Sequence, residues 1–259
     1  MAKILLAITT YNQSDYTKLC LDSVLKLNIE LDALVVDDVS SDNTVDICRK
    51  YDVEIIKKQK PAGLTDSWNI AYQKFKSEDY DFLIIANNDI LIPKGSIEEL
   101  LSIYDKWPYS LVVPLSTQLG SGHCNQSQSI DLFYKFGFDS NDPKNYQKVQ
   151  DDILKLKTLQ TKSNNLYLFD PLRPKMFNGF FFMMNRNIIN YEHEKDILFN
   201  PEFPMTKNED EFNWAKLIPN NDYPAVCKTS FIFHYKGITA TKELRDNKTF
   251  LKNRLENEN

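Results

Sequence analysis

Three consecutive polar residues, Asn87, Asn88 and Asp89, interrupt the otherwise apolar stretch FLIIANNDILIP over residues 82–93. A carboxylate at the end of a buried strand is suited to holding Mg²⁺ or Mn²⁺ against phosphate oxygens, because these ions take oxygen ligands and retain waters. In that reading Asp89 anchors the metal, and Asn87 and Asn88 are its neutral hydrogen-bonding neighbours. The bland alternative is an ordinary turn, which Asn and Asp both favour. Two further acidic groups stand out, Asp37–Asp38 in ALVVDD and Glu209–Asp210–Glu211 in NEDEF. Taken alone, the first suits a helix cap and the second the acidic first turn of a helix. Asp42 is better placed than Asp38 for that cap, which leaves Asp38 available.

Other phosphate chemistries lack their residues. The chain has only seven glycines and neither a G-x-G-x-x-G nor a G-x-x-x-x-G-K-[ST] pattern, so no glycine-rich cradle for a dinucleotide or a nucleoside triphosphate is present. With no such cradle of backbone amides, the carboxylate at the strand end points to a bridging Mg²⁺ or Mn²⁺ as the way to hold a diphosphate.

The elements that would position these residues follow from periodicity. Short β-rich runs at 3–9, 33–37, 53–57, 81–86 and 110–114 alternate with helical patterns over the first 115 residues. Tyr16, Leu19, Cys20, Val24 and Leu27 share one helical face, with Ser14 as the expected cap; Leu64, Trp68, Ala71, Tyr72 and Phe75 share another. Ser96 is the expected cap of a helix carrying Glu98 and Glu99 in its first turn. This alternation predicts βαβ units with right-handed crossovers, hence an α/β fold with a central, mainly parallel sheet flanked by helices. In such a sheet ligands bind beyond the carboxyl ends of the strands, where strand order reverses. If the fourth strand returns beside the first, the loops TTYNQ and NND flank one crevice, and DDVSSDN lies at the same edge.

The second half is less regular. It predicts a helix in NYQKVQDDILKLKTLQ, a buried strand at 177–185, a helix start at NEDEFNWAKLI, a last strand at 225–235 and a polar helix from about residue 240. No repeat or low-complexity linker separates the halves, so a single domain is expected.

Composition excludes several function classes. With 259 residues, 42% hydrophobic and 26% charged, the chain reads as an ordinary globular protein. Its net charge of -5 and dispersed lysines and arginines argue against nucleic acid as a partner. The four cysteines are widely spaced and read as reduced thiols. No window reaches the roughly 18 apolar residues of a membrane span, and the expected location is the cytoplasm.

TTYNQSDYTKLCLDSVL, LVVDDVSSDNTVDIC, AGLTDSWNIAYQKF and IIANNDILIPKGSIEEL, in this order and spacing, resemble family 2 glycosyltransferases with the Rossmann-like GT-A fold. The resemblance covers roughly the first 115 residues, and FNGFFFMMNR, NEDEFNWA and FHYKG look like later landmarks; residues 116–175 carry no recognisable motif. It implies a single GT-A domain over 1–259, with 1–115 binding a nucleotide-sugar and 116–259 supplying the acceptor site and the catalytic base. Thr9 and Tyr11 match positions lining the nucleotide pocket, and Asp38 matches the residue that hydrogen-bonds the base, usually uracil. Asp66 or nearby Asn69 lies where family members touch the donor. Asp89 matches the last aspartate of the D-x-D motif, which reaches Mn²⁺ or Mg²⁺, whereas Asn87 departs from its usual first aspartate. Asp210 matches the catalytic base, with Glu209 and Glu211 as close neighbours in sequence. His234 and Lys236 follow the last strand, near the expected diphosphate, with His234 a candidate metal ligand.

The implied reaction is inverting transfer of a sugar from a nucleotide donor to a glycan or glycoconjugate hydroxyl. A UDP-sugar is the first expectation, with dTDP- and GDP-sugars as alternatives. A binding module of the same fold that has lost turnover is the competing reading, motivated by Asn87. A nucleotidyltransferase is disfavoured, because TTYNQSD offers no glycine-rich basic loop. Structural roles remain alternatives too: a hydrogen-bonded histidine for His234, and plain core for the Phe180–Met184 run.

Overall fold

A computed structural model describes residues 2–116, 166–168, 177, 179–203 and 212–235. Strands β1 (Ile4–Thr10), β2 (Asp32–Asp37), β3 (Glu54–Lys57) and β4 (Phe82–Asn87) alternate with helices α1 (Ser14–Val24), α2 (Thr44–Cys48) and α3 (Leu64–Ser77). They pair in the parallel order β3-β2-β1-β4, so the fourth strand does return beside the first. The strand-order reversal anticipated from the sequence therefore lies between β1 and β4.

The remaining strands are β5 (Ile90–Leu91), β6 (Leu111–Ser116), β7 (Leu166–Leu168), β8 (Phe181–Asn185) and β9 (Ala225–His234), with α4 (Ser96–Tyr104) before β6. β8 inserts antiparallel between β4 and β6, β6 runs parallel to β9, and β9 also carries β7 and β5 as antiparallel neighbours. The expected parallel α/β half is thus extended by a mixed half.

Both faces of the sheet are covered, which is why its strands read as continuous apolar runs. Leu5, Ala7, Leu34, Val36, Leu83 and Ile85 pack on one face against Trp68, Ala71, Tyr72 and Phe75 of α3. Leu6, Ile8, Val35 and Ile84 face the other way, toward Cys20 and Leu21 of α1, Cys48 of α2 and Leu100 of α4. Cys20, Cys48 and Cys227 are free and buried, as reduced core thiols should be. Burial, and then the charge of Asp37, pushes the Cys48 thiol up to about 11. Among the described residues no helix is long and apolar enough to cross a membrane.

Two expected caps are corrected. Ser14 is the first helical residue of α1, after Gln13 at φ 66, and its amide donates to Asp42 Oδ2 of the next loop at 3.2 Å. Ser96 likewise follows Gly95 at φ 79, and its buried hydroxyl donates to the Phe231 carbonyl at 2.8 Å, tying α4 to β9. In both cases the left-handed residue that turns the chain occupies the cap position, and the serine serves a long-range contact. The cap position of α2 is held by Asn43, and Asp42 just before it accepts from the Thr44 amide at 3.0 Å.

Val39, between β2 and α2, has φ 62. A β-branched side chain in the left-handed region clashes with its own backbone, and glycine there removes the clash at the cost of a more mobile unfolded chain. Val39→Gly is expected to raise stability by about 0.5–1 kcal/mol. An unchanged or lowered urea midpoint would show that no strain is relieved.

Candidate active site

The carboxyl ends of β1, β2 and β4 form one edge, and backbone hydrogen bonds lock it. The Asp38 amide donates to the Thr10 carbonyl at 2.9 Å and the Lys58 amide to the Asp37 carbonyl at 3.0 Å, continuing the ladder past the strand ends. Asn12, at φ 56, accepts at Oδ1 from the Ser41 and Asp42 amides at 2.8 and 3.3 Å, while its own amide donates to Ser40 Oγ at 2.7 Å. The loop after β1 is thereby pinned to the loop after β2. Partly exposed Tyr11 stands on this loop, and Thr9 beneath it donates to the Ala86 carbonyl at 3.2 Å.

Asp89 lies one turn beyond β4 and is only 3% exposed. The antiparallel register of β5 and β9 places Ile90 opposite His234, and the Tyr235 amide donates to the Asp89 carbonyl at 2.9 Å. This register brings His234 Nε2 to 3.1 Å from Asp89 Oδ1, across 145 residues of sequence. Phe180 stacks beneath the imidazole with centroids 4.7 Å apart and planes 14° apart, fixing the ring. Burial first, and then the negative charge of Asp89, raises the Tyr16 phenol, whose ring meets that of Tyr235 edge-on at 5.1 Å.

This arrangement fits a divalent cation. Asp89 Oδ1 and His234 Nε2, 3.1 Å apart, present an oxygen and a nitrogen donor side by side at the crevice. Asn87 Oδ1 is buried and, among the described residues, receives no hydrogen bond. An orphaned acceptor two residues before the carboxylate suits a bound cation or donor better than an empty interior. Among the described residues no cluster of three His, Cys, Asp or Glu is present, so diphosphate oxygens and water would complete the shell.

Other expected site residues fare differently. Asn69 is engaged within the fold: its Oδ1 accepts from the Leu198 and Phe199 amides at 3.1 and 2.9 Å, and its Nδ2 donates to the Phe199 carbonyl at 2.8 Å. It clamps the 198–199 segment onto α3. Asn88 is likewise structural, donating from Nδ2 to the Asn12 carbonyl at 3.0 Å and to Thr17 Oγ1 at 2.8 Å. It fastens the turn after β4 to the start of α1, because a buried amide must find partners and α1 presents them. Asp66 is half exposed and pairs with Lys58 at 2.9 Å. Asp38 accepts from the Ala62 and Gly63 amides at 2.9 and 3.1 Å, so any base contact shares its carboxylate with them. Glu209, Asp210, Glu211 and Lys236 lie outside the described residues, as do the helices expected at NYQKVQDDILKLKTLQ and beyond residue 240.

Replacing Asn69 with Ala would leave two buried amides without acceptors. The expected loss is about 3 kcal/mol of stability, with nucleotide affinity of the folded protein unchanged. A variant that melts normally but binds nucleotide poorly would restore Asn69 to the donor site.

A doubly wound α/β sheet with an acidic, histidine-backed turn at its strand-order reversal defines a Rossmann-like protein, with the candidate site at the strand ends where such sheets bind ligands. The chain belongs to glycosyl transferase family 2, whose profile it matches over residues 6–173. That match extends beyond residue 115 into the stretch where no motif was recognisable. No curated protein matches the chain by sequence. Among solved structures, it is similar to Staphylococcus aureus TarS 1-349, with a TM-score of 0.57 and 16% identity over 90% of this chain and 60% of that one. The mannosyltransferase PcManGT from Pyrobaculum calidifontis, solved with GDP-Man and Mn²⁺, gives a TM-score of 0.58 and 12% identity over 90% and 56%. GalNAc-T7, solved with UDP, GalNAc and Mn²⁺, gives 0.60 and 15% over 90% and 44%. These likenesses establish the GT-A fold. The chain spans 44% to 60% of the length of these three proteins.

Proposed function

We propose that this chain is a metal-assisted, inverting glycosyltransferase that takes a nucleotide-diphosphate sugar, a UDP-sugar first among candidates, and glycosylates a hydroxyl of a glycan or glycoconjugate. The observation that carries the reading is the Asp89–His234 pair, 3.1 Å apart at the strand-order reversal and flanked by the loops after β1 and β2. Family membership and the donors bound by similar proteins support it.

In this reading Asp89 and His234 would hold Mn²⁺ or Mg²⁺, which when bound would supply charge compensation for the departing diphosphate. Thr9, Tyr11 and Asp38 line the nucleotide end, with Lys236 near the diphosphate. Asp210 accepts the proton of the attacking hydroxyl. The acceptor oxygen forms its bond to the anomeric carbon as the carbon–phosphate oxygen bond breaks, the proton passes to the Asp210 carboxylate, and the configuration inverts. Residues 1–115 and 116–259 serve as the donor and acceptor halves of one domain.

A second reading, a donor-binding module without turnover, is favoured by Asn87 in place of a carboxylate. A screen of UDP-, dTDP- and GDP-sugars for donor hydrolysis, with Mn²⁺ and with EDTA, separates the two. Metal-dependent release of nucleoside diphosphate supports the enzyme; binding without release from any donor supports the module.

A further inference from the structure

Lys58 drew no attention in the sequence, where it sits in the run KKQK immediately after β3. In the structure its side chain is only 4% exposed, against the expectation that lysine heads stay in water. Strand alternation explains the burial: Lys57 faces solvent and Lys58 turns inward at the end of the sheet. Its ammonium meets three acceptors, one after β2 and two at the start of α3. These are the Gly63 carbonyl at 2.8 Å, Asp38 Oδ1 at 3.3 Å and Asp66 Oδ2 at 2.9 Å. An ammonium has three hydrogens, so this constellation matches its full donor capacity.

The three acceptors define what Lys58 does. Asp38 ends the β2 segment at the crevice, Gly63 is the N-cap of α3 at φ 85, and Asp66 lies in the first turn of α3. Gly63 and Ala62 return amide hydrogen bonds to the two oxygens of Asp38, so carboxylate, ammonium and loop close a single buried circuit. A buried carboxylate needs both charge compensation and directed hydrogen bonds, and removing one partner of such a pair is far more damaging than never having had it.

We propose that Lys58 is a positioning residue for the base end of the donor pocket, acting through Asp38 and the loop of residues 58–66. This rests on the donor-binding role proposed for Asp38. Lys58 fixes the rotamer of Asp38 and the path of the loop, so that a base with a ring N–H meets a preset acceptor. It has no part at the metal end, where Asp89 and His234 act.

That spatial division supplies the test. Calorimetric titration in Mn²⁺ would use two probes, the nucleoside diphosphate that the wild type binds best among UDP, dTDP and GDP, and inorganic pyrophosphate, which lacks the base. Lys58→Gln is expected to weaken nucleotide binding about 30-fold while changing pyrophosphate affinity less than about threefold. Lys58→Arg should recover most of the nucleotide affinity. On an Asp38→Asn background, Lys58→Gln should add less than about threefold, because the two residues act as one unit. Equal loss of both probes, an unchanged nucleotide affinity, or full additivity with Asp38→Asn would overturn the inference alone. Thermal melting controls for folding, with Lys58→Met as a second variant. If neither folds, Lys58 is a folding residue and the positioning role is overturned. A wild type that binds neither nucleotide nor pyrophosphate would overturn the glycosyltransferase reading and this inference together.

Discussion

Asp89→Ala is expected to lower sugar transfer by about 10³-fold and to weaken nucleotide diphosphate binding only when Mn²⁺ is present. The asymmetry follows from the geometry. Asp89 sits 3.1 Å from His234 Nε2 and is nearly fully buried, so in the proposed reading its effect on a nucleotide would pass through the cation that the pair would hold. Without metal, the loops after β1 and β2 supply what affinity remains, and the substitution leaves them in place. A small structural contribution is also removed, because the carboxylate holds the imidazole stacked on Phe180. That contribution lowers stability equally with and without metal. Equal loss of nucleotide binding in EDTA and in Mn²⁺ would mean that Asp89 is a structural partner of His234 and no ligand.

The second large effect concerns the proton. Asp210→Asn is expected to reduce transfer by about 10²–10⁴-fold, the usual contribution of a positioned general base. Donor affinity and metal dependence should stay within about twofold of the wild type. An amide is nearly isosteric with a carboxylate but cannot take the proton of the acceptor hydroxyl. Glu209→Gln and Glu211→Gln provide the comparison, since both carboxylates flank Asp210 in sequence. If either of these variants shows the large loss while Asp210→Asn remains active, the base has been assigned to the wrong carboxylate.

The first half of the fold was legible because β1, β2 and β4 are largely buried apolar runs and each helix shows one apolar stripe. Those two periodicities gave the alternation of strands and helices; the order β3-β2-β1-β4, assumed conditionally from the sequence, is set by the structure. The mixed half was less legible. Nothing in FFMMN marks it as antiparallel to β4, since a doubly buried strand carries the same apolar run in either direction.

The hydrogen bonds around the candidate site were not legible, for a related reason. Asn69 was a candidate donor contact from the family resemblance, and Asn88 a neutral hydrogen-bonding neighbour of Asp89. Their partners are backbone groups of Phe199 and Asn12 together with the Thr17 hydroxyl, and backbone groups leave no mark in a sequence. Lys58 was missed because burial, the property that distinguishes it from Lys57 and Lys60, depends on strand phase and on the loop that folds over it. Phe180, for which core packing was the simplest expectation, stacks on the His234 ring. The pairing of His234 with Asp89 needed the β5–β9 register, which no local pattern encodes.

The most direct test of the central claim is calorimetric titration of the wild-type protein with UDP, dTDP and GDP, in Mn²⁺ and in EDTA. The expected result is saturable binding of at least one nucleotide in Mn²⁺, weakened at least about tenfold by EDTA. A folded protein that binds none of the three in Mn²⁺ would contradict it.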